Sequence, residues 1–251
     1  MQQPPPGSPG KILIGFFSFT EVTDPSEHRS YNEWHQLDHL PEQLPLAGIA
    51  WGQRWVCTPR CRRARTAAVP PLDRVHYLTM YLMTEPVAQT LEEFSALGGE
   101  LHRLGRFHEL RKSHLSGPFD VLSAHAAGRV LVSGAAVPYR PNTGAYVVVE
   151  EATGTHEGAE RTPREQSALL EVDGVAGVWS FAAALDPGRW RPGRRRVTVC
   201  FLDGDPLEAA GGAEQILRHA AGETGTEVVY AAPFESITPW KWDWFDGDDG
   251  A

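Results

Sequence analysis

One succession of strands and helices is written into this chain twice. Lys11–Phe19 is an apolar run without helical period, bounded by Gly10 and by Thr23, Asp24 and Pro25, and reads as a buried strand. A helix follows from Ser26, its cap, to Gln43, ended by Pro41 and Pro45. Gly48 then releases a strand over Ile49–Cys57; an Arg- and Pro-rich loop covers Thr58–Pro71, and a third strand covers Arg74–Thr84. Leu91, Phe94, Leu97, Leu101 and Leu104 recur at helical spacing after Glu85 and Pro86. The stretch 106–128 reads as an extra segment before a closing strand at Arg129–Gly134. The second half then gives a strand at Gly144–Glu151, a helix at Thr162–Glu171, strands at Gly174–Leu185 and Arg195–Leu202, a helix at Asp205–Gly222 and a last strand at Glu227–Ser236.

The two halves also superpose in sequence. Leu44, Gly48, Ile49 and Ala50 lie over Leu170, Gly174, Val175 and Ala176 without a gap, and the match runs on to Trp55 over Phe181. Each half carries an Arg-rich connection between its second and third strands: Arg60, Arg62, Arg63 and Arg65 in one, Arg189, Arg191 and Arg194 in the other. Each also opens its second helix with a proline, Pro86 or Pro206. The expected fold class is therefore α+β: two fused ferredoxin-like βαββαβ repeats with antiparallel sheets, forming an α+β barrel-like sandwich. Residues 1–10 read as a disordered lead-in, 11–137 as the first repeat, 138–143 as a linker, 144–239 as the second repeat and 240–251 as an aromatic and acidic arm. If the two sheets face each other, a small molecule is expected in a cavity between them.

Composition excludes several classes. The formal net charge of −9 disfavours nucleic acid and anionic lipid, and no apolar run is long enough to span a membrane. No charged-then-apolar leader opens the chain, so a cytoplasmic location is expected. Cys57, Cys61 and Cys200 lack zinc spacing and are read as reduced thiols, so no metal is expected. No glycine-rich dinucleotide or phosphate loop, nucleophile elbow or zinc-protease motif occurs, and no cofactor is expected.

One segment carries side chains suited to chemistry. Tyr31, His35 and Asp38 or His39 share a helical face, and a phenol, two imidazoles and a carboxylate are the parts needed for proton transfer near neutral pH. The run Tyr31, Trp34, His35, Asp38, His39, Pro41, followed by Leu46, Ala47 and Gly48, resembles the helix signature of EthD-like proteins of the dimeric α+β barrel superfamily. That resemblance covers the first half well and the second only through its skeleton. It implies His39 as base or acid, with His35 and Tyr31 positioning a substrate oxygen. Asp38 would orient an imidazole, and Trp34, Trp51, Trp55 and Tyr81 would contact substrate. It also implies a cofactor-independent lyase, cyclase or isomerase acting on a small aromatic or polyketide-like substrate, in a possible homodimer. The alternatives are a cofactor-free monooxygenase of the same architecture and a non-catalytic carrier or sensor. Haem-binding relatives of the same general fold keep a ligating His in one repeat.

Competing structural roles are a helix-end hydrogen bond for His39 and core packing for Trp34. The ungapped match sets Glu157, Glu160, Arg161, Arg164 and Glu165 against Tyr31, Trp34, His35, Asp38 and His39, so the His-rich stripe belongs to one half. His102, His108 and His114 recur every six residues, a spacing that scatters them around a helix. Trp240, Trp242 and Trp244 alternate with period two and are expected on one side of an arm that packs on the protein or closes over a ligand.

Overall fold

The computed structural model describes residues 11–152, 163–183, 195–224 and 226–246. Residues 1–10 and 247–251, the loop arginines Arg189, Arg191 and Arg194, and the paired positions Glu157, Glu160 and Arg161 lie outside the described residues.

The first half runs β1 (Ile14–Val22), α1 (His28–Trp34), α2 (Leu40–Gln43), β2 (Ile49–Val56), α3 (Pro59–Arg63), β3 (Ala67–Ala68), β4 (Tyr77–Met83), α4 (Val87–Arg103) and β5 (Arg111–Ala126). The second runs β6 (Gly144–Ala152), α5 (Pro163–Leu170), β7 (Val175–Ala183), β8 (Arg195–Leu202), α6 (Pro206–Thr224) and β9 (Thr226–Ser236). Hydrogen bonding orders the strands β2-β4-β1-β5-β7-β8-β6-β9, and β2 pairs again with β9 through Trp55 with Ser236 and Val56 with Glu235. The sheet thus closes on itself, every main pairing being antiparallel, with β3 appended to β9. Numbered within its own half, each set of four strands has the order 2-3-1-4.

Closure decides where side chains go. Eight strands leave an interior just wide enough for side chains to fill. Phe17 and Phe19 of β1, Leu78, Met80 and Leu82 of β4, and Trp55 of β2 meet Trp179, Phe181, Phe201 and Phe234 there as one buried cluster. Each large side chain so buried contributes about 2–3 kcal/mol. Trp55 and Phe181, paired by the sequence match, both lie in this interior. The expected cavity between the sheets is therefore not where the chain leaves space: aromatic side chains occupy it.

The helices cover the outer faces. Beneath α4, Ile14, Phe16, Tyr81 and Met83 pack with Leu40, Leu91 and Phe94; under α5 and α6, Tyr146, Val148 and Leu202 pack with Leu169, Ala213 and Leu217. Gly48 turns α2 into β2, and a Cβ there would lie 1.9 Å from the Thr90 Oγ1 of α4. Its partner in the match, Gly174, needs its φ of +81° in the corresponding turn.

Three expectations need correction. The closing strand of the first half is Arg111–Ala126, and 129–134 is a turn leading into a 3-10 helix at Gly134–Tyr139. The 16-residue β5 serves both half-sheets, pairing with β1 through 111–120 and with β7 through 119–126, so what reads as an extra segment is the strand joining them. His102, His108 and His114 do not share a helix: His102 ends α4, His108 lies in a loop and His114 in β5. The C-terminal arm is a series of turns, with Trp240 at 72% exposure and Trp242 buried, so the three indoles do not share a side. The arm packs on α1 and the turn after it, Phe245 stacking on His28 at 3.8 Å and Trp242 Nε1 donating to Gln36 Oε1 at 2.9 Å.

Candidate functional site

The histidine-bearing helix is not uniform. Between α1 and α2, residues His35–His39 form a single π turn, a local widening often found where a helix carries function. Tyr31, His35 and His39 line its inner face and lie 1%, 5% and 9% exposed. Their rings touch in series, Tyr31 to His35 at 5.9 Å and His35 to His39 at 5.0 Å, and Trp34 stacks on His39 at 4.8 Å. The stripe is held against the outer face of the sheet, where His35 Nε2 sits 3.4 Å from Thr79 Oγ1 of β4. The Nδ1 atoms of both imidazoles, and the hydroxyl of Tyr81 beside them on β4, are buried without a hydrogen-bond partner.

Two cations complete this layer. Arg54 lies on β2, whose alternation turns Arg54 and Val56 toward the helix while Trp55 faces the interior. It is 5% exposed, donates from Nη2 to Asn32 Oδ1 at 2.9 Å, and lies 5.4 Å above the Tyr31 ring. Asn32 Nδ2 in turn donates to Tyr77 Oη, which also bonds His28 Nδ1. Arg111 opens β5 and lies 4.5 Å over Phe107 and 5.7 Å over Trp34.

A break in strand register aims Arg111. Phe19 pairs with Leu115 but Thr20 pairs with Ser113, so His114 is an extra residue in a β-bulge. Leu115 enters the interior, whereas Ser113 bonds the outward Ser18 hydroxyl at 2.9 Å. Without the extra residue, Ser113 and Arg111 would share the inward face of Leu115.

Electrostatics follow from burial. Desolvation, then the Arg111 and Arg54 charges, push His39 down to about 4. Burial first, then Arg54, holds His35 well below the ordinary imidazole value. Burial also raises the Tyr81 phenol and lowers Arg111. At neutral pH both imidazoles are therefore uncharged, each with an open ring nitrogen.

Beside this cluster a cavity of about 570 Å³ opens between α4 and the outer faces of β1 and β5, lined by Phe16, Leu91, Phe94, Ser113, His114 and Pro118 among others. It adjoins the cluster at two points. Phe94 touches Tyr81 at 5.2 Å, and Ser113 accepts from Arg111 Nη1 at 3.2 Å.

Of the residues singled out in the sequence, Tyr31, Trp34, His35, His39 and Tyr81 are brought together here. Asp38 is not: it points to the outer side of the helix, where Arg106 clasps it at 3.0 and 3.2 Å and also binds Glu42. It ties the α4–β5 loop to the helix and orients neither imidazole. Trp51 and Trp55 lie on the opposite face of β2, Trp51 against Tyr139 and Trp55 with Nε1 donating to Asn142. Arg54, Arg111 and Ser113 were not anticipated. Arg54 alone left a signal, a charge on one face of an apolar strand. The residues fit haem poorly. Trp34 packs against both His35 and His39 and Phe107 against His39, and His114, which borders the cavity, commits Nε2 to Glu21 at 2.7 Å.

No protein-family model and no curated protein matches the sequence. Among solved structures, a candidate chlorite dismutase superposes with a TM-score of 0.55 at 9% identity, over 94% of this chain and 98% of that one. An anthrone oxidase-like protein gives 0.48 at 13% identity, over 92% and 94%. A haem-binding protein from Thermus thermophilus gives 0.49 at 15%, over 95% and 96%. The first likeness shows the fold, a ferredoxin-like α+β barrel. Among the described residues, no helix is long and apolar enough to cross a membrane.

Proposed function

We propose that the chain is an enzyme of small-molecule chemistry, a cofactor-independent lyase, cyclase or isomerase of the EthD-like kind. In this reading its two halves descend from one duplicated βαββαβ unit and the first half kept the site. The observation that carries the reading is the pair of buried, uncharged imidazoles with unpartnered Nδ1 atoms, in a cluster whose Tyr81 and Arg111 touch the lining of a cavity of about 570 Å³ that neither imidazole lines. An uncharged imidazole is in the form that accepts a proton; the burial that keeps it so also weakens it as a base, so a negative charge developing on substrate beside it is needed to raise its proton affinity during the transfer. His39, next to the Phe107 side of the cluster, takes a proton from an acidic carbon of the substrate; His35 and Tyr31 hold the oxygen to which charge moves. Such transfer contributes roughly 10²- to 10⁴-fold in rate, enough for enolisation, dehydration or ring closure of a reactive polyketide-like substrate. The aromatic lining, Phe16 and Phe94, suits a flat substrate.

The test is deuterium exchange into aryl 1,3-diketones of graded length, followed by mass spectrometry. Wild type should accelerate exchange, and His39→Ala and His35→Ala should lose that acceleration while still quenching tryptophan fluorescence on binding. Binding by wild type with no exchange on any member would favour a carrier and end the catalytic reading.

A further inference from the structure

The two halves treat buried arginine differently. In the second, Arg196 on β8 is paired with Glu150 on β6 at 3.0 Å through both Nε and Nη2, and both are fully buried. In the first, Arg54 is 5% exposed against α1 and Arg111 is half-buried over Trp34 and Phe107, and among the described residues neither meets a carboxylate. The carboxylates nearby are committed elsewhere: Glu21 to His114, and Asp38 and Glu42 to Arg106. Arg54 leaves Nε and Nη1 buried without a partner, and the Tyr81 hydroxyl beside it is in the same condition. Burying a cation without a counterion is costly, and the chain as a whole carries net charge −9, so carboxylates were not scarce.

We propose that Arg54 and Arg111 form an anion site, and that the substrate is a flat aromatic or polyketide-like acid whose carboxylate or ionised enol oxygen supplies the missing negative charge. This rests on the catalytic reading above and names its substrate class. Guanidinium groups bind planar oxyanions through paired N–H donors, which an Arg with two free donors can offer. The cavity reaches this charge at Ser113, the residue it shares with Arg111. The apolar body of the acid would lie along Phe16, Leu91 and Phe94, its anionic end toward the arginines and imidazoles. In that position the same two charges would stabilise the enolate formed when His39 removes a proton.

The test uses 1-hydroxy-2-naphthoate and its uncharged carboxamide as probes, titrated by tryptophan fluorescence, so that binding is read without turnover. The acid is expected to bind at least about tenfold more tightly than the amide. Arg54→Met and Arg111→Met should each bring the ratio close to one, while Arg106→Met leaves it unchanged. Equal affinities in wild type, failure of both probes to bind at millimolar concentration, or a preference that survives in both variants would overturn the proposal. A ligand-free measurement keeps it exposed: Arg111→Met should melt at or above the wild-type temperature, whereas Arg196→Met, which strands Glu150, should melt far lower. An equally large fall for Arg111→Met would make that cation structural and sink the anion site. If the preference fails while exchange still depends on His39, the substrate is neutral and the catalytic reading stands.

Discussion

The protonation state of His39 can be tested through stability alone. The imidazole is pushed from an ordinary 6.5 down to about 4, first by burial and then by Arg111 and Arg54. Between those values the unfolded chain binds a proton that the folded chain refuses, so stability must fall as pH falls through this window, and the loss is complete below the folded value. At pH 5 the single-site linkage gives a loss of about 2 kcal/mol relative to pH 8, rising to about 3 kcal/mol at the acid limit. The perturbation is His39→Gln, which removes the titrating group and keeps a polar side chain. Urea unfolding of both proteins at pH 8 and pH 5 gives two differences, and the wild-type difference should be larger by about 2 kcal/mol. Any fixed cost of the substitution cancels within each protein. His28, also held near 4 by burial, and His76, held near 2, remain in both and cancel as well; His35 cancels too, because burial and Arg54, which lower it more than His39 does, remain in the variant. If the two proteins lose the same amount, His39 titrates as it would in water, and an imidazole kept uncharged by burial is not what this helix provides.

Other consequences are more local. Asn142 Oδ1 accepts from Gln53 Nε2, Trp55 Nε1 and Ser236 Oγ at 2.9, 3.0 and 2.6 Å, so Asn142→Ala strands several donors between the two halves; thermal melts should show a loss of about 2–4 kcal/mol, and a change within error would mean that water replaces the amide. Gly48→Ala sets a Cβ against Thr90 and should cost about 1–3 kcal/mol, part of which returns in the Gly48→Ala/Thr90→Ala double variant; strict additivity would place the strain elsewhere. Cys57, Cys61 and Cys200 are buried, and burial lifts the Cys61 thiol to about 12, so a thiol reagent at pH 8 should label none of them until denaturant is added; rapid stoichiometric labelling of the native protein would contradict that burial. Removing residues 240–251 takes away the Phe245 stack on His28, and the His28 ring should then titrate closer to 6.5 in NMR spectra; an unmoved titration would show that other packing buries it.

The strands of the barrel were legible because most face packed layers on both sides. Tyr77–Met83 and Gly144–Glu150 are buried at every position, and such strands appear in sequence as unbroken apolar runs. β5 hid for the opposite reason. It carries Lys112, Ser113, Ser116, Gly117, Pro118 and Asp120, its inward residues alternate with hydroxyls under α4, and its meaning lies in reaching two half-sheets at once. The imidazole stripe was legible because helical spacing alone puts Tyr31, His35 and His39 on one face. Asp38 misled because its partner, Arg106, lies 68 residues along the chain, and no local pattern announces that pairing. The arginines are the instructive case. A single charge in a strand is common, and what gives Arg54 and Arg111 significance is that no carboxylate among the described residues meets them, a property of three-dimensional neighbourhood. Even so, Arg54 interrupts the helix-facing side of an apolar strand, and Arg111 arrives there only because His114 adds a residue to β5.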